Sequence, residues 1–261
     1  MSAEAAILAA IARHDALAIA VSGGVDSMLL AHLAHRTGAA VKVVHAVSFA
    51  VPEEATARVK VHATRHGWDL ALVDAGELAD PQYTANPVNR CYFCKSNLYS
   101  RIRSVTDATI ASGANTDDLG DFRPGLLAAA ERSVVHPFVE AGAGKAVIYA
   151  LAAELGLGDI AALPAQPCLA SRIETGITVT PETLTFIDET ERTLRPLLGA
   201  GAALRCRVTA AGVAVEVAPT PPPAAATAAH SAAADICAMA GRPFLGLKPY
   251  QRGSAFLTGA A

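Results

Sequence analysis

The chain predicts an α/β protein, with a doubly wound parallel sheet first and a smaller α+β domain behind it. Three observations carry that expectation. Short apolar runs alternate with helix-length stretches up to Pro164. One of those runs ends in a glycine-rich turn that opens directly into a helix. After Pro164 the alternation gives way to one long helical stretch and then to runs with a period of two.

Taken in order, Ala16 to Val21 is a buried strand that ends at Ser22-Gly23-Gly24-Val25-Asp26-Ser27, and Met28 to Ala34 is a helix. Val41 to Val47 reads as a strand, Pro52 to His66 as a helix, and Asp69 to Val73 as the next strand. Ala108 to Ser112 is a further buried strand, and Lys145 to Leu155 a helix closed by Gly156. Such alternation places ligands at the carboxyl ends of the strands. In the second domain, Pro181 to Leu198 is a helix, Leu204 to Val208 and Val213 to Val217 alternate as strands, and Phe244 to Leu247 is the last strand. Between them Pro219 to Ala234, rich in proline and alanine, reads as a flexible loop leading into a helix. The domains are therefore expected at 1–164 and 165–261, which suits a length of 261 residues.

Composition narrows the class. The chain is 52% apolar but only 5% aromatic, the excess being largely alanine. No run of about 18 apolar residues goes uninterrupted, and Met1 to His14 lacks a basic start and cleavage site, so a cytoplasmic protein with no membrane partner is expected. A net charge of −3 disfavours a nucleic-acid partner and favours a small-molecule substrate. Five cysteines without an export signal argue against a disulfide framework. Cys91 and Cys94 form a close pair open to metal, cluster or redox chemistry, whereas Cys206 and Cys237 read as packing residues.

The segment Ser22 to Ser27 carries the most chemistry. Its backbone N–H groups, next to a helix N-terminus, suit an anion; Gly23 and Gly24 permit close approach, and Ser22 and Ser27 add hydroxyl donors. Asp26 adds negative charge there, which makes sense if it holds Mg²⁺ bridging phosphates. The bland alternative is a glycine turn with Asp26 capping the helix. The string resembles the PP-loop of ATP pyrophosphatases rather than a Walker loop, since no Gly-Lys-Ser/Thr follows it. That resemblance implies attack at the α-phosphate of ATP, leaving AMP on the substrate and pyrophosphate in the loop.

Further segments extend the likeness: Asn89-Arg90-Cys91-Tyr92-Phe93-Cys94-Lys95, Gly113 to Asp121, Arg123-Pro124-Gly125 and, most specific, Pro167-Cys168-Leu169-Ala170-Ser171-Arg172-Ile173. Together they resemble the LarE family of ATP-dependent sulfur transferases, which act in building a nickel-pincer nucleotide cofactor. The resemblance implies that a pyridinium biscarboxylic acid mononucleotide is adenylylated and then attacked by sulfur. It implies either Cys168 as a sacrificial donor ending as dehydroalanine, or a 4Fe–4S cluster held by Cys91, Cys94 and Cys168, and the second is favoured here. A structural zinc half-site or a redox dithiol remains open for the CxxC pair.

The other assignments rest on the same resemblance together with residue chemistry. Asp117, beside Asp118, lies where acidic groups meet ATP and magnesium, with a turn and helix cap as the alternative. Lys145 at a helix start runs against the dipole preference, which points it at phosphate. Arg172, Arg205 and Arg207 are candidate anion ligands, with Arg205 and Arg207 on one strand face, and Ser171, Glu191 and Arg123 join them as substrate-binding residues. A homo-oligomer is expected. Departures fall on the substrate side, at Glu174-Thr175 after Arg172-Ile173, and in the run Ser133 to Phe138. Competing readings are a PP-loop tRNA thiolase, which the charge disfavours, and a non-catalytic nucleotide sensor, which has no need of three matching cysteines.

Overall fold

Two separate cores meet on the first strand. Leu17, Ile19 and Val21 point into one, and Ala18 and Ala20 into the other, as the two-residue period of a strand requires. The structure, a computed structural model, describes residues 2–120, 123–164, 167–199 and 201–256. Asp121 and residues 165–166, where the acidic segment ends and the domain boundary was expected, lie outside the described residues.

In chain order the elements are α1 (Ala3–Ile11), β1 (Ala16–Ala20), α2 (Val25–Ala34), β2 (Ala40–Ala46), α3 (Glu53–His66), β3 (Asp69–Val73), α4 (Pro81–Thr84), α5 (Arg90–Arg103), β4 (Thr109–Ser112), α6 (Pro124–Ala130), α7 (Pro137–Glu140), α8 (Lys145–Glu154), α9 (Gly158–Ala161), α10 (Pro181–Leu198), β5 (Ala203–Thr209), β6 (Gly212–Ala218), α11 (Pro223–Met239) and β7 (Phe244–Pro249). They divide into two units, the described residues of 1–80 and 89–166, and those of 81–88 and 167–261.

The first unit is built on a parallel sheet of order β3-β2-β1-β4. One face buries α1, α2, α3, α8 and α9 through Ile7, Met28, Val59, Ile148 and Ile160, and the other buries α5 and α6 through Tyr99, Ile102 and Ala129. Burying a side chain such as Ile148 or Ile102 contributes about 1.5–3 kcal/mol. Strand order runs outward from β1 to β3 and then returns to place β4 on the other side of β1. The switch point, and with it the natural ligand crevice, lies at the carboxyl ends of β1 and β4.

The second unit holds a three-stranded sheet, with β5 and β6 antiparallel and β6 and β7 parallel. Leu204 and Val215 of that sheet pack with Leu194 of α10 and with Ala229 and Ala233 of α11. The stretch 219–234 runs as a short loop leading into a helix, as expected, and most of it is the helix. After four residues it is helix, because alanine is the best helix former, Pro223 is tolerated at the first helical position, and Ala229, Ala233 and Cys237 recur every four residues as a buried stripe.

Residues 81–88 were expected with the first domain but group with the second. Asn86, buried at φ 54, donates its side-chain amide to the carbonyls of Glu174 at 2.8 Å and Ile177 at 3.0 Å, while Val179 N–H donates to the Thr84 carbonyl. Asparagine tolerates the left-handed region better than most residues, and its amide satisfies carbonyls that would otherwise be buried unpaired. Among the described residues no helix is long and apolar enough to cross a membrane.

Candidate functional site

The loop after β1 folds on itself before any ligand is considered. Ser22 N–H donates to Ser27 Oγ at 3.0 Å, the two serine hydroxyls lie 3.1 Å apart, and Ser27 Oγ donates to the Gly24 carbonyl at 3.2 Å. Helix α2 starts at Val25 with Gly24 as its N-cap and no side-chain cap, so Asp26 and Ser27 stand in the first turn and the early N–H groups are left for an anion. Gly23 has φ +85, and a Cβ there would lie 2.8 Å from the Ala55 carbonyl of α3. No other residue fits both the conformation and the space.

Around this loop the strand-end residues of β4 converge. A Cβ on Gly113 would meet Ser27 N at 2.8 Å, so only glycine lets the end of β4 approach the first turn of α2 this closely. That approach delivers Asn115, whose Nδ2 donates to Asp26 Oδ1 at 3.0 Å. Lys145, first residue of α8, puts Nζ at 3.4 Å from both Asp26 oxygens. Its backbone N–H donates to Asp117 Oδ2 at 2.5 Å, so Asp117 caps α8 from across the loop. Asp118 closes a capping box with Asn115 and pairs with Arg123 at 2.8 Å. Asp26 is a quarter exposed and Lys145 somewhat less than half, so both are open to a ligand.

Three residues of this arrangement were not singled out from sequence: Asn115, Arg58 and His45. Arg58 Nη1 donates to the Gly23 carbonyl at 2.6 Å, and burial lowers its pKa despite nearby Glu54 and Asp159. His45 Nδ1 bonds the Val21 carbonyl at 2.8 Å and Nε2 meets Thr56 Oγ1 at 2.9 Å. Burial lowers its pKa, so the neutral ring ties β2 to the end of β1. Asn115 was findable, since it follows a buried strand by three residues. Arg58 sits mid-helix and carries no local signal.

Cys91 and Cys94 lie in the first turns of α5, both half-buried, and their spacing puts them on one helical face. Gly125 of α6 approaches so closely that a Cβ there would meet Lys95 Cγ at 3.0 Å and the Cys91 carbonyl at 3.6 Å. None of the five cysteines is joined in a disulfide. Cys206 and Cys237 are fully buried, and burial raises the pKa of both thiols.

In the second unit Cys168 caps a 3-10 turn, Leu169–Arg172. Arg172 holds that turn from inside: Nη1 donates to the carbonyls of Pro167 at 2.6 Å and Cys168 at 3.1 Å and to Ser171 Oγ at 3.1 Å. Its Nε and Nη2 form a bidentate pair with Glu191, both at 2.9 Å, and Glu191 Oε1 also accepts from Cys206 N–H at 2.9 Å. Burial opposes the guanidinium's charge, yet Glu191 raises its pKa above the ordinary value. Arg207 pairs with Glu216 at 2.9 Å and donates to the carbonyls of Ser171 and Gln251. Arg172, Glu191 and Arg207, expected on the substrate side, thus brace the Cys168 turn. Arg205 differs, donating to the Leu204 carbonyl and lying over the Tyr250 ring at 5.7 Å. Burial, and then Arg172, lower its pKa to about 10, against the opposing effect of Glu191 and Tyr250.

No protein-family model matches the chain. The uncharacterized protein slr1717 of Synechocystis sp. is 40% identical over 190 residues, which span 70% of each chain. This chain belongs to the slr1717 family. Within reach of the same likeness, the uncharacterized protein MJ0830 of Methanocaldococcus jannaschii is 27% identical over 187 residues, 70% of this chain and 71% of its own. Pyridinium-3,5-bisthiocarboxylic acid mononucleotide synthase of Lactiplantibacillus plantarum is 27% identical over 202 residues, 74% of this chain and 72% of its own.

Proposed function

We propose that this chain is an ATP-dependent, AMP- and pyrophosphate-forming sulfur transferase of the LarE type. It adenylylates a carboxylate of a small nucleotide-like acid, pyridinium-3,5-biscarboxylic acid mononucleotide, and replaces it by thiocarboxylate in nickel-pincer nucleotide cofactor biosynthesis. The observation that carries the reading is the meeting of Asp26, Asn115 and Lys145 over the loop at the switch point of the sheet. The Lactiplantibacillus relative supports the identity of the acid.

In this reading the loop N–H groups and the start of α2 hold the phosphates that leave as pyrophosphate, with Ser22 and Ser27 donating to them. Asp26 and Asp117 present carboxylate oxygens suited to Mg²⁺, which when bound neutralises phosphate charge. Lys145 offsets the charge that develops as the acid's carboxylate oxygen bonds to the α-phosphorus and the bond to pyrophosphate breaks. A sulfur nucleophile then attacks the acyl carbon and AMP departs. Arg205 and Ser171 bind the anionic groups of the acid, with Arg123 in the same role, while Arg172, Arg207 and Glu191 position the Cys168 turn.

Cys91 and Cys94, two half-buried thiols one turn apart on α5, fit the donor chemistry of a 4Fe–4S cluster, with Cys168 as the third ligand. Such a cluster, when bound, supplies an extra sulfide for transfer. Replacing any of the three cysteines then lowers bound iron and activity together, and anaerobically prepared wild-type protein turns over repeatedly with added sulfide. If Cys168 is the sacrificial donor, Cys91→Ala and Cys94→Ala each keep a single turnover, and Cys168 loses the mass of one H₂S. Full activity in Cys91→Ala, with no iron in the wild type, overturns the cluster.

The arginine assignments separate as well. Arg205→Ala should weaken binding of the acid by about 10- to 100-fold, the usual loss for a hydrogen-bonded charge, while ATP affinity stays unchanged. Calorimetric titration with each ligand checks this, and an equal loss for ATP would move Arg205 to the phosphates.

A further inference from the structure

Four of the eight histidines gather away from the phosphate loop, between the last turn of α2 and the last turn of α3. His32 comes from α2, and His62 and His66 from α3, one helical turn apart on the same face. Each of the three offers one ring nitrogen, and these lie within 4.8 Å of one another. His32 Nε2 and His62 Nδ1 are already 2.9 Å apart, while His62 Nε2 meets Asp159 Oδ2 at 2.8 Å. Trp68 floors the cluster, with its ring 4.8 Å from His32 and 6.1 Å from both His62 and His66, and His35 stacks on it at 5.5 Å.

From this geometry we propose that His32, His62 and His66 form a binding site for a divalent transition-metal ion of the zinc class, with Asp159 as its outer carboxylate. Three imidazoles suit such a cation, and nitrogen ligands at about 2.0–2.1 Å in tetrahedral array stand little more than 3 Å apart. The rings therefore need only side-chain rotation, which exposed His66 has room to make. Asp159 accepts from His62 Nε2–H, and that fixes the tautomer with a lone pair on Nδ1 facing His32, the carboxylate–histidine–metal arrangement. The metal takes the place of the proton shared by His32 and His62. Hard cations are poorly served by three nitrogens, so Mg²⁺ is not a ligand here. A bound ion would tie α2, which carries Asp26 and Ser27, to α3, which carries Arg58 and backs Gly23 at Ala55.

The decisive experiment uses untagged full-length protein in which Cys91, Cys94 and Cys168 are serine, so that no thiolate of the proposed cluster competes. After chelator treatment it is titrated with Zn²⁺ and, in parallel, with Mg²⁺. Because Trp68 is the sole tryptophan, its fluorescence reports this site alone. The expected result is binding of one Zn²⁺ per chain with a change in Trp68 emission and a raised melting temperature, and no effect of Mg²⁺. His62 is fully buried, so the informative variants are at the rim. His66→Gln should weaken Zn²⁺ binding at least tenfold while melting unchanged in chelator, and Asp159→Asn should weaken it by about tenfold, as loss of an outer carboxylate does. Zn²⁺ affinity equal in the parent and His66→Gln, or no change in Trp68 emission, overturns the site.

Discussion

Asp26→Asn is expected to abolish ATP-dependent pyrophosphate release, by about 10³-fold or more if the residue acts on the charge of the transition state, while the protein stays folded. Asparagine keeps the size of the side chain and an oxygen for Asn115 Nδ2, now 3.0 Å from Asp26 Oδ1. What it removes is the negative charge, and with it the proposed Mg²⁺ ligand and the counter-charge that holds Lys145 Nζ at 3.4 Å. An ammonium left beside the loop would still attract phosphate, so ATP affinity should fall far less than turnover. Folding should barely respond, because a partly exposed ion pair contributes about 1 kcal/mol or less. Pyrophosphate release, measured with ATP, Mg²⁺ and the biscarboxylic acid mononucleotide beside a thermal melt, checks both halves. Unchanged turnover removes the ATP chemistry from this loop.

Glu191→Ala is expected to be the costliest change in the second unit, at about 3–5 kcal/mol, because it leaves the buried Arg172 guanidinium without its counter-charge. It also strips Cys206 N–H of its acceptor, a buried donor that then goes unsatisfied. Urea unfolding followed by circular dichroism measures the loss. Glu191 further acts through Arg172 on Cys168, whose carbonyl that guanidinium holds at 3.1 Å, and a double variant separates the two effects. Replacing Arg172 and Glu191 together by Met and Leu removes both charges and should recover the part of the loss due to the unpaired guanidinium, while Cys206 N–H stays without its acceptor. The Pro167 and Cys168 carbonyls still lose their donor, so sulfur transfer should stay impaired. A loss below about 1 kcal/mol in Glu191→Ala would show that the pair is not the brace argued above.

How much of this was legible beforehand differs by element. β3 and α10 stand at the limits read from periodicity, and the other expected strands within a residue or two. Helix α2 starts three residues earlier than expected, inside the glycine string, because Gly24 serves as the N-cap. Helix α5, which carries Cys91 and Cys94, was not anticipated at all. The face it buries, Tyr99 and Ile102, is defined only by the sheet it covers.

Local sequence therefore determined where strands end and helices begin, and which turn can wrap an anion, because apolar periodicity and glycine stereochemistry act within a few residues. Tertiary structure alone decided the partners. Asp26 meets Asn115 and Lys145 because β4 returns to the side of β1, a consequence of strand order, not of spacing. His32 lies beside His62 because α2 and α3 bury their apolar faces on the same side of one sheet, and Arg172 beside Glu191 because the turn that holds Arg172 packs against α10. A buried charge or ring takes whatever partner that arrangement supplies, since leaving it without one costs more than any local preference can return.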